Sequence, residues 1–228
     1  MKFLSAHWKH LLLANYNVQA SVLEPFVPRG TQIDAFEGHV YVSLVAFMFE
    51  ETRLVGIPIP FDRRFEEVNL RFYVSPKNTP SIRAVTFIKE LVPKRIIPLI
   101  ANNLFHENYA ALPMDHCNEP NRHWYSWQNA SHNRFSANID SELALPTADS
   151  LGEFITEHYW GYSQGPRRTL QYEVRHPQWR CCQIEDYEID VDFAATYGEA
   201  FAFLNTQPPT NVQYAEGSPV TVSFPSQL

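Results

Sequence analysis

The stretch EEVNLRFYV, residues 66–74, alternates polar and apolar side chains, which is the pattern of a β-strand. Because successive side chains of a strand point to opposite faces of the sheet, this strand has one apolar and one polar face. The apolar face carries Val68, Leu70, Phe72 and Val74. The polar face carries Glu67, Asn69, Arg71 and Tyr73. The fold depends on whether the polar face meets solvent or lines an internal pocket.

An exposed polar face is the usual outcome of such alternation, but two features of the sequence favour a pocket. The stretch VYVSLVAFMF, residues 40–49, is almost continuously apolar, as in strands that are covered on both sides. In addition, an acid, a cation and two further hydrogen-bonding groups can satisfy one another away from water. Asn69, Arg71 and Tyr73 are therefore candidate ligand-binding residues.

The composition is that of a folded protein and gives no sign of nucleic-acid binding. The 228 residues suffice for one large domain or two small ones, and 45% apolar residues against 19% charged residues exclude a disordered chain. The net charge is −7 and no basic stripe is present, so we expect no nucleic-acid partner. We expect a small-molecule ligand instead, and leave open whether the protein forms a homo-oligomer.

The chain shows no signal for a membrane. Its longest apolar run is too short to span a bilayer, and its N-terminus lacks the apolar core and cleavage site of a secretory signal. We therefore expect a cytoplasmic protein without membrane association.

Three segments have helical spacing of apolar residues. The first is residues 5–13. The second begins at Pro93 and has Ile96, Ile97, Ile100 and Leu104 on one stripe, and Pro98 should bend or restart it. The third begins at a capping box formed by Ser150 and Glu153. The rest of the chain reads as many short strands separated by turns. Because strands and helices do not alternate, we predict an α+β, mainly β protein with a mostly antiparallel sheet, curled or closed into a barrel.

Metal and cofactor motifs are absent from the sequence. Asp115, His116 and Cys117 lie near His123 and His132, but their spacing matches no zinc motif, so we expect no metal site. The sequence contains neither a glycine-rich phosphate loop nor a nucleophile elbow, and we expect no cofactor.

The segment KELVPKRI, residues 89–96, places Lys94 beside Arg95 at the start of a predicted helix. A helix N-terminus disfavours positive charge, and a second cation with apolar neighbours makes a lysine lose its proton more readily. A neutral lysine amine can attack a ketone and form a Schiff base. The alternative is that both cations are simply solvated, as most surface charges are.

Several motifs between residues 5 and 180 agree in order and spacing with one known family. They are HWKHLLLANYNV, VPRGTQIDAFEGHVYVSLVAF, FEEVNLRFYV, VTFIKELVPKRI, LPM, EFITEHYWGY and VRHPQW. In these motifs the chain resembles the YqjF-type conserved family, a domain of unknown function that is similar to the acetoacetate decarboxylase superfamily. The resemblance implies a single domain over residues 1–228. It also implies a closed, cone-like antiparallel β-barrel around an internal cavity, with a few outer helices.

The resemblance also implies roles for individual residues. In acetoacetate decarboxylase-like enzymes the Schiff-base lysine lies in an R-E-x-x-G-F-P-K-K segment, which KELVPKR resembles in shortened form, so that Lys94 matches the nucleophile and Arg95 the second cation. The acidic residue of the superfamily matches Glu67, which would move a proton. Asn17, a further candidate ligand-binding residue, stands where these enzymes carry a carboxylate-binding arginine. It cannot pair ionically with a carboxylate, but Arg71 can take over this role if it faces the cavity. The Gly-Phe pair before Pro-Lys is missing.

These departures leave different functions open. They favour a binding protein whose cavity holds a small carbonyl, carboxylate or apolar metabolite. The alternative is a cofactor-independent lyase of the decarboxylase or aldolase–dehydratase type, in which Lys94 condenses with an oxo acid and the iminium accepts the electrons of C–C cleavage. A third interpretation is an interaction module that uses the aromatic stretch HWYSWQ, residues 123–128.

Overall fold

The computed structural model describes residues 2–58 and 63–228 of the chain. Its strands are β1 (Lys2–Val18), β2 (Thr31–Ile33), β3 (Val40–Leu54), β4 (Ile57–Pro58), β5 (Phe65–Pro76), β6 (Ala84–Val92), β7 (Tyr109–Ala111), β8 (Met114–Glu119), β9 (Arg122–Gln128), β10 (His132–Asn138), β11 (Trp160–Gln164), β12 (Thr169–Arg175), β13 (Cys181–Gln183), β14 (Tyr187–Asp190), β15 (Asn211–Ser223) and β16 (Ser226–Gln227). Its α-helices are α1 (Ala20–Leu23), α2 (Ile96–Leu104), α3 (Leu151–Thr156) and α4 (Phe193–Tyr197). Short 3-10 helices cover Glu24–Phe26 and Glu199–Asn205.

One large sheet contains most of the strands, in the order β13–β15–β1–β3–β5–β6–β11–β12–β16. Pairing is antiparallel except at β6, which pairs in parallel with β11 and β7. β12 also pairs with β15, through Val174 with Val222 and Arg175 with Thr221. The path of strand pairs therefore leads from β15 through the sheet and back to β15. The prediction of a mainly β, α+β fold with few helices is confirmed.

The stretch that opened the sequence analysis forms β5, which lies in the middle of this sheet and is buried from Phe65 to Pro76. It pairs with β3 and β6, and the predicted hairpin of β5 with β6 is confirmed. A register shift follows Leu70, so that Leu70 lies opposite Lys89 while Arg71 lies opposite Phe87. The extra residue, Ile88, is a bulge in β6.

Both faces of β5 are covered, each by a different part of the molecule. The apolar face packs into a cluster with Tyr125, Trp127 and Phe135 of a second sheet, whose strand order is β14–β10–β9–β8, and with Phe193 of α4. On the polar face, Tyr73 packs into another apolar cluster, which includes Phe154 and Ile155 of α3 together with Trp179. The sheet therefore separates two cores, and the polar face of β5 looks into the second.

The helix predicted over residues 5–13 is wrong, because this segment belongs to β1. A register shift between Lys9 and Leu12 surrounds His10, which has a positive φ of 55°. Trp8, before the bulge, and Leu11, after it, both pack on the side of the sheet that carries the polar face of β5. Leu12 packs on the opposite side. The change of phase gives the strand an apolar spacing that imitates a helix.

The other predicted helices are present, although α2 begins at Ile96 and not at Pro93. In α2, Pro98 occupies the first turn, where a backbone N–H needs no partner within the helix, so the helix runs uninterrupted through this residue. α3 begins as the capping box predicts, since the Ser150 side chain accepts a hydrogen bond from the Glu153 N–H at 3.2 Å. Over the described residues, no helix has the length and apolar content needed to cross a membrane.

Candidate functional site

The polar face of β5 is shielded from solvent, as the pocket interpretation predicts. The exposed fractions are 3% for Glu67, 2% for Asn69, 9% for Arg71 and 0% for Tyr73. Alternation along the strand places all four side chains on one side, in this order. They divide into a cationic end around Arg71 and an acidic end around Glu67.

The cationic end contains a buried guanidinium group that lacks an anionic partner. Nη2 of Arg71 donates to the carbonyl oxygen of Ile155 at 3.1 Å, and Nε has no hydrogen-bond partner. Within the part of the chain that the structure describes, no carboxylate forms an ion pair with Arg71. A buried cation without a counter-ion is unfavourable, so this end of the polar face is suited to receive an anion.

A chain of hydrogen bonds fixes the phenol of Tyr73 beside Arg71. The Ser43 hydroxyl donates to Oδ1 of Asn15 at 2.6 Å and lies 2.6 Å from the Tyr73 hydroxyl. Since the single proton of Ser43 is given to Asn15, Tyr73 donates to Ser43. Asn15 is held in turn by Asn211, whose Oδ1 accepts from its Nδ2 at 2.9 Å. The Tyr73 side chain is therefore rigidly positioned on this face.

His158 completes the cationic end from the segment after α3. Its ring lies 4.6 Å from the Tyr73 ring, centroid to centroid, and Nε2 lies 3.8 Å from Oδ2 of Asp34. Burial lowers the pKa of His158 to about 4, against the opposing effect of Asp34, and the charge of Arg71 adds to the lowering. The neutral imidazole leaves Arg71 as the buried positive charge at this end, while Arg83, whose charge also lowers the pKa of His158, is exposed.

At the acidic end, three glutamates come from three different elements. Glu67 accepts hydrogen bonds from Nδ2 of Asn69 at 3.1 Å and from the Tyr109 hydroxyl at 3.0 Å. Glu90 of β6 lies directly opposite Asn69 in the sheet. Glu107, in the loop after α2, accepts a hydrogen bond from the Tyr172 hydroxyl at 2.6 Å.

Burial and mutual repulsion favour the protonated forms of these carboxyl groups. Burial raises the pKa of Glu67, although Asn69, Tyr109 and Arg71 oppose the shift. Burial raises the pKa of Glu90 well above its ordinary value, and the charges of Glu107 and Glu67 raise it further. The same two causes, burial and the charge of Glu67, raise the pKa of Glu107. The acidic end can therefore hold and release protons at neutral pH.

Several buried polar atoms along the polar face lack partners among the described residues. They are Oδ1 of Asn69, Nε of Arg71, Oε2 of Glu90 and both ring nitrogens of His158. Buried polar atoms in proteins are nearly always paired, with protein, water or a bound group. Their concentration on one face identifies this face as the candidate site.

The other residues predicted for the site lie elsewhere. Lys94 and Arg95 are exposed at the turn before α2, so the dry environment that the Schiff-base hypothesis requires is not present there. Their catalytic roles stay predictions. Asn17 lies near the end of β1, where its Nδ2 contacts Nδ1 of His39 at 3.0 Å, and it is only partly buried. The structure therefore groups Glu67, Asn69, Arg71 and Tyr73 and leaves these three outside the group.

Sequence reasoning missed most of the residues that surround the polar face. They are Asn15, Ser43, Glu90, Glu107, Tyr109, His158 and Tyr172. Ser43 could have been found, because it is a lone polar residue in the apolar stretch of β3. Glu107 and Tyr172 gave no local signal, since they meet only through long-range packing.

A separate polar group lies on the other side of β5. Glu66, Asp115 and His116 each offer a ligand atom, and these atoms lie within 4.8 Å of one another. Such a set could coordinate a metal ion. Nδ1 of His116 lies 2.5 Å from Oε1 of Glu66, so the two side chains already satisfy each other. Of the metal-capable residues considered from the sequence, only Asp115 and His116 belong to this group.

The sequence matches one family model over almost its entire length. The model is that of DUF2071, an uncharacterized conserved protein family, and the match covers residues 5–219. A relative is the uncharacterized protein YqjF of Bacillus subtilis (strain 168). The two chains are 28% identical over 195 residues, which is 81% of this chain and 77% of the relative.

Solved structures share the fold at much lower sequence identity. The acetoacetate decarboxylase of Legionella pneumophila superposes with a TM-score of 0.70 at 8% identity, over 98% of this chain and 86% of that one. The enduracididine biosynthesis enzyme MppR, complexed with pyruvate, gives a TM-score of 0.67 at 11% identity, over 100% and 91% of the two chains. The chain therefore belongs to the DUF2071 family, and its fold is similar to that of acetoacetate decarboxylase.

Proposed function

We propose that this protein binds a small carboxylate, such as a short oxo acid, on the polar face of β5, with Arg71 as the anion-binding residue. The observation that carries the proposal is the buried Arg71 guanidinium, which has an unpartnered Nε and no ion pair within the described part of the chain. A carboxylate is the natural complement, because its two oxygens match the fork of guanidinium donors.

The strand pairings support an enclosed binding chamber. The pairing of β12 with β15 joins the two strands that lie next to the ends of the main path of the sheet. We infer that these strands form a closed barrel with the polar face of β5 directed inward. Tyr73 lies on the same face of β5 as Arg71, and its ring stands 5.8 Å from Cζ of Arg71. Its hydroxyl can accept a hydrogen bond from a ligand while it donates to Ser43.

The structural neighbours support an oxo acid as the ligand class. MppR has been solved in complex with pyruvate, and another neighbour is an acetoacetate decarboxylase. Pyruvate and acetoacetate both carry a carboxylate close to a ketone. In this protein Arg71 would bind the carboxylate, and the protonated acidic end could donate a hydrogen bond to a carbonyl oxygen.

Titration calorimetry with matched ligands tests the proposal. The probes are butanoate, 2-oxobutanoate and pyruvate, with butanamide as the uncharged control. We expect the three carboxylates to bind and butanamide to fail. Because a hydrogen bond to a charged group contributes about 1.5–3 kcal/mol, Arg71→Gln should weaken carboxylate binding by roughly tenfold or more.

Arg122→Gln is the matched control variant, since Arg122 is an exposed arginine in β9 of the second sheet. It should leave the affinities unchanged. Equal affinity of the wild type for butanoate and butanamide, or binding that survives Arg71→Gln, would refute the proposal.

A Schiff-base lyase with Lys94 as nucleophile is the second candidate, and it is supported by the similarity of the fold to acetoacetate decarboxylase. In that reaction Lys94 would attack the ketone with loss of water, Glu67 would move a proton and Arg95 would favour the neutral amine. Lys94 is exposed in the structure, so the segment before α2 would have to move to bring its amine to the ligand.

Borohydride reduction in the presence of acetoacetate or pyruvate, followed by peptide mass mapping, tests this candidate. A label on Lys94 that persists in Lys77→Ala and disappears in Lys94→Ala would support the lyase. Lys77 is a suitable control because it is an exposed lysine in the turn after β5. The absence of any label would exclude the lyase and leave the binding function standing.

A further inference from the structure

The acidic end of the polar face brings together three carboxyl groups, whose protonated forms are favoured by burial and mutual repulsion as long as no cation is bound beside them. Glu67 and Glu90 lie on neighbouring strands, diagonally across the pair of Asn69 with Glu90, at a Cα separation of roughly 7–8 Å. Glu107 approaches from the loop after α2. Its charge raises the pKa of Glu90, and the charge of Glu67 raises the pKa of Glu107. None of the three forms an ion pair with a described lysine, arginine or histidine.

Glu90 is the residue of this group that points to a missing partner. Its side chain is buried, with 2% of the residue exposed, and Oε2 has no hydrogen-bond partner among the described residues. Glu67 and Glu107 each accept a hydrogen bond from a tyrosine hydroxyl, from Tyr109 and Tyr172 respectively. The Tyr109 hydroxyl also interacts with Glu90 and opposes the rise of its pKa, but Oε2 of Glu90 stays without a donor. A buried carboxyl oxygen without a donor is unfavourable, so a donor brought by a ligand would stabilise this arrangement.

We propose that the acidic end binds an ammonium or guanidinium group of the same ligand whose carboxylate is bound by Arg71. This inference rests on the proposed carboxylate binding. The ligand is then a small amino or guanidino acid with opposite charges at its two ends. Arg71 and Glu90 are diagonal neighbours on β5 and β6, roughly 7–8 Å apart between Cα atoms, so the two charges of the ligand are separated by only a few methylene groups.

A metal ion is a less suitable occupant of the acidic end. Over the described residues, the group whose ligand atoms converge within 4.8 Å is Glu66, Asp115 and His116, on the opposite side of β5. The carboxyl groups of the acidic end are spread more widely, and two of them are already engaged by tyrosine hydroxyls. An organic cation with several N–H donors can reach separated acceptors, which a single metal ion cannot.

A pair of ligands that differ in a single group tests the proposal on the unaltered protein. 5-Aminopentanoate and hexanoate share the carboxylate and four methylene groups, and differ in an ammonium group against a methyl group. We expect calorimetry at neutral pH to show that 5-aminopentanoate binds at least roughly tenfold more tightly than hexanoate. A gain of this size corresponds to one hydrogen bond that involves a charged group.

Variants locate the effect. Glu90→Gln and Glu107→Gln should each bring the affinity for 5-aminopentanoate towards that for hexanoate, and should leave hexanoate binding unchanged. Glu66→Gln is the matched control, because Glu66 is a buried glutamate of β5 on the side opposite to the polar face. Thermal unfolding establishes that each variant is folded. If a variant fails to fold, the comparison of the two ligands on the wild type decides alone.

The outcomes separate this inference from the function on which it rests. Hexanoate binding that depends on Arg71, with no preference for 5-aminopentanoate, would overturn the inference and leave carboxylate binding intact. A preference for 5-aminopentanoate that survives both Glu90→Gln and Glu107→Gln would also overturn it. Failure of both ligands to bind in an Arg71-dependent way would overturn the proposed function together with the inference.

Discussion

The ring of Tyr172 lies directly against the Cα of Gly161, its partner across β11 and β12. A Cβ atom at position 161 would stand 2.2 Å from Cζ of Tyr172, which is too close for any side chain. The glycine thus allows the Tyr172 hydroxyl to reach Glu107 at 2.6 Å. One backbone position without a side chain supports the acidic end of the polar face.

Gly161→Ala should therefore destabilise the protein. The methyl group would displace the buried Tyr172 ring, and overpacking of this kind costs about 1–3 kcal/mol. Urea unfolding followed by circular dichroism measures the change. Gly152→Ala is the control, because a Cβ there has its nearest neighbour at 3.5 Å and alanine is favoured over glycine within a helix such as α3. Equal stability of the two variants would show that Tyr172 can move freely.

The hydrogen-bond chain at the cationic end gives a second prediction. Ser43→Ala would leave both Oδ1 of Asn15 and the Tyr73 hydroxyl without their partner in a fully buried environment. Unsatisfied buried groups of this type cost about 1–3 kcal/mol, so the free energy of unfolding should fall by that amount. The exposed Ser141 provides a control, and Ser141→Ala should be neutral. A Ser43→Ala variant as stable as the wild type would mean that water replaces the hydroxyl.

Part of the site was predictable from local sequence, because alternation along a strand is a local property. The row from Glu67 to Tyr73 was placed on one face, and a buried face was favoured by the apolar stretch of β3 that pairs with it. Glu90 and Glu107 were not predicted as part of the group. They join it through the bulge of β6 and the loop after α2, and neither leaves a trace in local periodicity.

The same reasoning explains the two expectations that depended on helical spacing and on a short motif. The bulge at His10 shifts the alternation of β1 by one residue, and the shifted pattern resembles helical spacing. At Lys94 the motif indicated a dry lysine, but the exposure of that residue is set by packing around α2, which has no buried residue. Tertiary packing decided both cases.

The acidic end should also make stability depend on pH in a defined direction. The pKa of Glu107 is raised to about 8, by burial and by the charge of Glu67, from an ordinary value of 4.5. Between these values the folded protein holds a proton that the unfolded chain has lost. The contribution of the protonated Glu107 is therefore complete in acid and is lost as the pH rises through this window.

In the variant Glu107→Gln the side chain at position 107 cannot ionise. The free energy of unfolding of the wild type, relative to that of this variant, should therefore fall as the pH rises from 5 to 8. We expect a fall of more than about 1 kcal/mol, since one pKa unit corresponds to 1.36 kcal/mol. Urea unfolding of both proteins across this pH range provides the measurement. Glu188→Gln, at an exposed position of β14, controls for the loss of a carboxylate as such. A difference that stays constant with pH would contradict the assignment.

On the other side of β5, Glu66 and His116 should be energetically coupled. Oε1 of Glu66 and Nδ1 of His116 lie 2.5 Å apart, and the two side chains are 10% and 25% exposed. A double-mutant cycle with Glu66→Gln and His116→Ala, measured by urea unfolding at pH 6, should give a coupling of about 0.5–3 kcal/mol. The pair of Arg175 with Glu173, whose side chains are 73% and 29% exposed, provides the comparison and should couple by at most about 1 kcal/mol. Additive effects at Glu66 and His116 would mean that each side chain is stabilised by other neighbours, and that their short contact contributes nothing to the docking of the second sheet on β5.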